Sequence, residues 1–205
     1  MNKVNYQKEL DKIIENAVKQ GVTPTLLLHS CCAPCSSYVL KYLSDFFIIT
    51  LVYYNPNIFP EEEYRKRVLE QERLINELPV KNPITFVEAK YDPQTFFEKV
   101  KGLEQEPEGG ARCTVCYEMR MREAAIYAKE GGFDYFTTTL SISPLKNAQK
   151  INDIGLALEK EYGVKHLPSD FKKKEGYKQS VQLSAEYNLY RQNFCGCVYS
   201  KGEQK

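Results

Sequence analysis

Tryptophan is absent and histidine occurs only twice, which leaves little basis for a histidine-rich zinc site. Net charge is nearly absent as well. With 28 Lys and Arg against 27 Asp and Glu, the chain carries +1, so no global basic field announces a polyanionic partner. Any nucleic-acid contact must come from local patches. The start, Met1 to Glu9, lacks the apolar run of a signal peptide, and no stretch approaches the roughly 20 apolar residues of a membrane span. These absences predict a cytoplasmic protein with no membrane partner. No internal repeat, low-complexity tract or linker interrupts the 205 residues, of which 42% are hydrophobic. One α/β domain over 1–205 is therefore expected, with an N-terminal helix in 1–24 and a catalytic core in 25–200.

What the chain does have is cysteine, seven in all, confined to three clusters: Cys31, Cys32 and Cys35; Cys113 and Cys116; Cys195 and Cys197. In a reducing compartment, short spacings and an odd count favour metal or catalytic thiols over a disulfide framework. The stretch from Leu26 to Cys35 organises the rest, because a short apolar run ends in three cysteines within five positions.

Leu10, Ile13, Ile14, Ala17 and Val18 recur at helical spacing, and Gly21 can close that helix in a left-handed conformation. Strands are expected over Thr25–His29, Phe47–Tyr54, Ile84–Ala89, Tyr135–Thr139 and Val164–Leu167. Helices are expected over Ser36–Leu43, Glu61–Leu78, Pro93–Val100, Thr114–Lys129, Asn147–Tyr162 and Tyr177–Tyr190. Asn55 to Pro60 cannot extend the second strand, since each proline removes a donor and restricts its predecessor. This alternation implies a doubly wound, mostly parallel sheet with right-handed crossovers. Ligands then bind beyond the carboxyl ends of the strands, where the loops Ser30–Cys35, Asn55–Pro60 and Leu140–Lys146 would share a face.

Cys31-Cys32-Ala-Pro-Cys35 sits where a phosphate-binding loop would, but has no glycine to let backbone amides close around a phosphate. Cys113 and Cys116 form a Cys-x-x-Cys at a helix start, where partial positive charge favours thiolate. Soft thiolates without a nearby histidine suit an iron–sulfur cluster, although a redox dithiol or half a zinc site fits the same spacing. Cys31 and Cys32 would complete a four-thiolate set. Cys195-Gly-Cys197 reads equally as a strained, readily reduced disulfide pair or as metal ligands with Cys35.

Lys172, Lys173, Lys174, Lys178, Tyr187, Tyr190, Arg191 and Tyr199 crowd the tail. They offer phosphate contacts and stacking for a splayed base, or simply a solvated face. Asp170 is the best-placed acid, though an aspartate there also pairs naturally with a lysine. His29 is either a proton relay or a satisfied core residue. Asn55, Asn57, Ser141 and Lys146 are candidate pocket groups, with turn formation as their plainer role.

Leu27-Leu28-His29-Ser30-Cys31-Cys32-Ala33-Pro34-Cys35, Tyr54-Asn55-Pro56-Asn57-Ile58, the run from Glu106 to Cys116, Asp170 to Lys173 and Tyr190 to Cys197 resemble the QueH family of cobalamin-independent epoxyqueuosine reductases. The likeness runs from about Leu26 to Ser200. It implies an adenine nucleotide α-hydrolase-like fold, and reduction of the epoxide of epoxyqueuosine, at the wobble position of a tRNA anticodon, to the alkene. It also implies a 4Fe-4S cluster with an adjacent iron ion. Position by position, Cys31, Cys32, Cys113 and Cys116 match the metal-site cysteines, Cys195 and Cys197 the terminal pair, and Cys35 becomes a candidate ligand of the neighbouring iron.

The expected catalytic groups are Cys195, Cys197 and Asp170, and the expected substrate contacts are Asn55, Asn57, Ser141, Lys146 and Arg191. The partners would be tRNA bearing epoxyqueuosine in its anticodon loop and an external electron donor. Two rivals stand beside this reading: a zinc-stabilised RNA-binding module without catalysis, and a thiol oxidoreductase acting on proteins through Cys195 and Cys197.

Overall fold

The computed structural model describes residues 4–200 as alternating helices and strands: α1 (Tyr6–Gln20), β1 (Thr25–His29), α2 (Ala33–Leu43), β2 (Ile48–Tyr53), α3 (Glu61–Glu77), β3 (Ile84–Glu88), α4 (Pro93–Lys99), α5 (Ala111–Glu130), β4 (Tyr135–Thr138), α6 (Ala148–Tyr162), β5 (Lys165–His166) and α7 (Gly176–Glu186). The five strands form one parallel sheet in the order β3-β2-β1-β4-β5. This is the doubly wound arrangement expected from the alternation. None of the helices is long and apolar enough to cross a membrane.

Successive side chains of a strand point to opposite faces, and the core divides accordingly. Leu26 and Leu28 of β1 pack on one face with Leu10 of α1, Leu40 of α2 and Leu74 of α3. Leu27, between them, packs on the other face with Met121 and Ala125 of α5 and Ile151 of α6. Both faces of β1 are thus covered, which is why it reads as an unbroken apolar run. Gly21 caps α1 with a φ of 65°, as its position predicts.

The boundaries differ from expectation where local chemistry is permissive. Helix α2 starts at Ala33 rather than Ser36, because a proline in the first turn has no N–H that the helix needs. Cys35 is therefore helical, while Cys32 is the extended residue just before. Helix α5 starts at Ala111 rather than Thr114, which brings Cys113 into its first turn and Cys116 into its second. The loop after β4 opens with a 3₁₀ turn over Thr139–Ile142. Helix α7 ends at Glu186, and Asn188 turns the chain with a left-handed φ of 47°. Tyr190 belongs to the tail.

The chain leaves β1 in one direction, toward β2, and β4 in the other, toward β5. The loops that follow β1 and β4 therefore diverge and leave a crevice at the carboxyl ends of two adjacent strands. His29 and Thr138 are laddered partners at this point, and Thr138 donates its hydroxyl to His29 Nδ1 at 2.8 Å. The other ring nitrogen, Nε2, donates to the Tyr54 carbonyl at 3.1 Å. His29 is wholly buried, and burial lowers its pKa to about 4 with the Arg120 cation assisting. Both nitrogens are committed, so His29 acts as a satisfied core residue and not a proton relay.

His166 is the second buried histidine. Its Nε2 donates to Asn152 Oδ1 at 3.2 Å, its Nδ1 has no partner, and burial lowers its pKa to about 4. The unfolded chain takes up this proton near pH 6.5 and the folded chain only near pH 4. Stability from keeping His166 neutral is thus complete above pH 6.5 and is lost as the pH falls toward 4, by about 3 kcal/mol in all. Urea unfolding at pH 7.5 and 4.5 should show His166→Gln losing about 2 kcal/mol less than wild type over that interval. Equal losses would place the acid sensitivity elsewhere.

Candidate metal and substrate site

The first thiol group forms where β1 runs into α2. The Sγ atoms of Cys31, Cys32 and Cys35 lie within 4.8 Å of one another, and those of Cys31 and Cys32 are 3.9 Å apart. Three thiols this close together are a group that could hold a soft metal. Hydrogen bonds from the Cys32 and Cys35 thiols, aided by Lys146 and Arg120, pull the Cys31 thiol well below its usual range. The same bonds, seen from the donor side, hold Cys32 up at about 12 and Cys35 well above normal.

The loop is fixed from both sides. Gln71 of α3, fully buried, accepts the hydroxyls of Ser30 at 2.7 Å and Ser36 at 2.9 Å on one amide oxygen. From the 3₁₀ turn after β4, Thr139 Oγ1 accepts the Cys31 amide at 3.4 Å and lies 3.6 Å from its sulfur.

A second group lies alongside. Cys113 and Cys116, three residues apart on α5, line a small crevice together with Cys195 and Cys197. Gly109 donates its amide to Cys113 Sγ at 3.3 Å, and burial holds the Cys116 thiol up at about 12. Cys195 also lines a wider cavity of about 780 Å³ that contains Cys31, Cys32 and Cys35. Cys195 therefore lines both spaces, the wide one with the first cysteine group and the small one with the second, and Arg120, 1% exposed, borders both; among the described residues only Cys31, Cys32 and Cys35 have their ligand atoms within 4.8 Å of one another. All seven cysteines are free thiols. A seven-thiol set without disulfides or a nearby coordinating histidine suits iron–sulfur chemistry better than hard-cation binding.

The tail that brings the last pair is clamped by α3. Arg67, 2% exposed, pairs with Glu63 at 2.7 Å and donates to the carbonyls of Cys195 at 3.2 Å and Phe194 at 3.5 Å. Glu63 also accepts the Tyr190 hydroxyl at 3.0 Å, and Glu70 accepts the Tyr190 amide. Phe59 donates its amide to the Gly196 carbonyl at 3.0 Å. Gly196 has a φ of +100°, and a Cβ there would lie 3.0 Å from Ile58 and 3.1 Å from Arg67. Only glycine meets both demands.

The expected polar pocket groups divide. Lys146 and Arg191 line the wide cavity. Asn55 does not; it is buried, donates to the Ser30 carbonyl at 2.8 Å and accepts from Arg120 at 3.4 Å, so it shapes the cysteine loop. Ser141 is buried against Ser169 at 3.2 Å, and Asn57 is buried with both amide atoms unpartnered; neither lines the cavity. Asp170 lies 3.1 Å from Lys172 in an ion pair and is also outside the lining. The lysines of the tail are largely engaged within the chain. Lys172 donates to the carbonyls of Ser141 and Lys146, Lys174 pairs with Asp11 at 2.7 Å, and Lys178 pairs with Glu175.

Arg67, Gln71 and Arg120 are the functional neighbours that the motifs did not single out. Their signal was helical spacing: Arg120 follows Cys113 and Cys116 at i+7 and i+4, and Arg67 follows Glu63 at i+4.

A family model described as epoxyqueuosine reductase QueH matches residues 26–203. The chain is 46% identical over 206 residues to the epoxyqueuosine reductase QueH of Staphylococcus epidermidis, covering 98% of this chain and 87% of that protein. It is 46% identical over 200 residues to the protein of the same name from Streptococcus pyogenes serotype M1, covering 97% and 78%. A more distant relative of that name, from Thermotoga maritima, is 35% identical over 182 residues, covering 88% and 92%.

Arg67→Met should leave Glu63 without its cation and two tail carbonyls without a donor, lowering stability by about 3 kcal/mol. The tail should also loosen, so that Cys195 and Cys197 alkylate faster under anaerobic conditions than in wild type, as read by peptide mass spectrometry. Labelling at the wild-type rate would mean that Arg67 does not hold the pair.

Proposed function

The chain belongs to the epoxyqueuosine reductase QueH family, and from that premise we propose how its thiols carry out the reduction. The protein is an oxidoreductase, an epoxyqueuosine reductase. Its substrate in this reading is epoxyqueuosine at the wobble position of a tRNA anticodon loop, where a single-stranded base can be turned out into a pocket and held by its edges. A cavity of about 780 Å³ lined by both thiols and cations supports this. The family match is to a reductase, which leaves the zinc-stabilised RNA-binding module and the protein-thiol oxidoreductase without support.

The chemistry is C₂O(epoxide) + 2e⁻ + 2H⁺ → alkene + H₂O. Both C–O bonds break and oxygen leaves as water. Four thiolates, Cys31, Cys32, Cys113 and Cys116, would hold a 4Fe-4S cluster, and Cys35 would hold an iron ion beside it. When bound, such a centre supplies single electrons and a Lewis acid. The chain's own residues account for the rest. Cys195 and Cys197, oxidised from dithiol to disulfide, release the two electrons and two protons that the reaction consumes. An external electron donor then restores the dithiol. Lys146, lining the cavity, offers an N–H to the oxygen as its bonds break, and exposed Arg191 offers charge to RNA phosphate.

The observation that carries this reading is the meeting of Cys195 with the other two clusters across adjoining cavities. Anaerobic assay of iron-loaded protein on tRNA bearing epoxyqueuosine, read by nucleoside mass spectrometry, should show loss of one oxygen mass that depends on reductant. Cys113→Ala should remove cluster absorbance together with activity. Cys35→Ala should lower iron per chain without emptying the cluster. Full iron content in Cys35→Ala would reject the ligand role for that residue, and turnover by metal-free protein would reject the reading as a whole.

A further inference from the structure

Arg120 is 1% exposed, so its guanidinium has surrendered its hydration. Its Nε donates to the Cys116 carbonyl at 3.1 Å and its Nη1 to Asn55 Oδ1 at 3.4 Å, while Nη2 has no partner. A buried guanidinium is costly unless opposite charge meets it, and two neutral acceptors do not provide that charge. The groups that act on it most strongly are Cys116, Cys195, Cys31 and Tyr117, with no carboxylate among them. Arg120 also borders both the wide cavity and the crevice, between the two thiol groups. Lys146 faces some of the same sulfurs but is only partly buried, so substrate and solvent can reach it.

We infer that Arg120 is the fixed counter-charge of the thiolate-bound centre and sets how readily that centre accepts an electron. The inference rests on the reductase reading and deepens it by naming the residue that tunes the site. Reduction adds one negative charge to a centre already held by thiolates. A cation shielded from water stabilises the reduced form more than the oxidised one, so its loss moves the midpoint to more negative potential. A merely structural role, tying α5 to the Asn55 loop, would alter stability or iron content and leave the potential of intact centres unmoved.

The test is an anaerobic redox titration, followed by electron paramagnetic resonance, of the full-length iron-loaded protein as wild type, Arg120→Lys, Arg120→Met and Asn55→Asp. The last variant places a carboxylate beside Nη1 and neutralises the cation without removing it. At the wild-type midpoint, the Arg120→Met and Asn55→Asp proteins should show a ratio of reduced to oxidised centre at least tenfold lower, which for one electron is about 59 mV more negative. Arg120→Lys should stay within threefold of wild type. If Arg120→Met does not hold iron, the midpoint of Asn55→Asp decides alone. Midpoints within threefold of wild type for Arg120→Met and Asn55→Asp overturn the inference. A wild-type protein with no reducible iron–sulfur signal would instead overturn the reading on which it rests.

Discussion

One buried ion pair holds the site's most distant part in place. Arg67 and Glu63 lie a helical turn apart on α3, and Arg67 carries its fork to the carbonyls of Phe194 and Cys195. A cation so far from water must keep its carboxylate and its carbonyls together, or leave charge unpaired in a medium that screens it poorly. The same carboxylate takes the Tyr190 hydroxyl, so a residue near the start of the tail shares the anchor of its cysteine pair. This clamp acts with the Phe59 amide on the Gly196 carbonyl and with Glu70 on the Tyr190 amide to keep Cys195, 79 residues beyond Cys116, beside the sheet. Gly196 completes the fit by letting the backbone pass close to Ile58 and Arg67.

The sheet supplies the other half of the constraint. Connections leave β1 and β4 in opposite directions, so a crevice opens beyond their carboxyl ends whatever fills it. In this position many α/β proteins place a glycine-rich loop whose amides hold phosphate. Here the loop carries three cysteines, fastened by Gln71 and Thr139, and the group it suits is a soft metal rather than a phosphate. The start of α5 brings Cys113 and Cys116 to the smaller crevice alongside, which shares Cys195 with that opening. The positive end of a helix suits thiolate as well as it suits phosphate.

The strands and the sulfur were legible in the sequence because each leaves a local mark. Leu26 to His29 is apolar on both faces, Gly21 ends a helix, and cysteines at short spacing announce their chemistry. The helix starts were read late. The first turn of α2 accommodates Pro34, and α5 begins at Ala111, directly after Gly110. Polar residues were harder still. Asn55 and Ser141 lie in the expected loops, yet their side chains turn inward and hold those loops together. Lys172 looked like a phosphate contact and instead braces the carbonyls of Ser141 and Lys146. Arg67 and Arg120 look like ordinary charges on amphipathic helices. Only the packing of α3 against the tail and of α5 against the thiol loops reveals that each is buried. Long-range burial is a tertiary property, and sequence periodicity does not encode which polar residue of a helix face will be covered.

In the proposed reading, Cys31, Cys32, Cys35, Cys113 and Cys116 would hold iron and sulfur, with the Cys195 and Cys197 dithiol beside them. X-ray absorption at the iron edge, on protein purified without oxygen, tests it most directly. The expected result is a first shell of sulfur with iron neighbours at short range. A first shell of oxygen and nitrogen, or isolated iron with no metal neighbour, would contradict it.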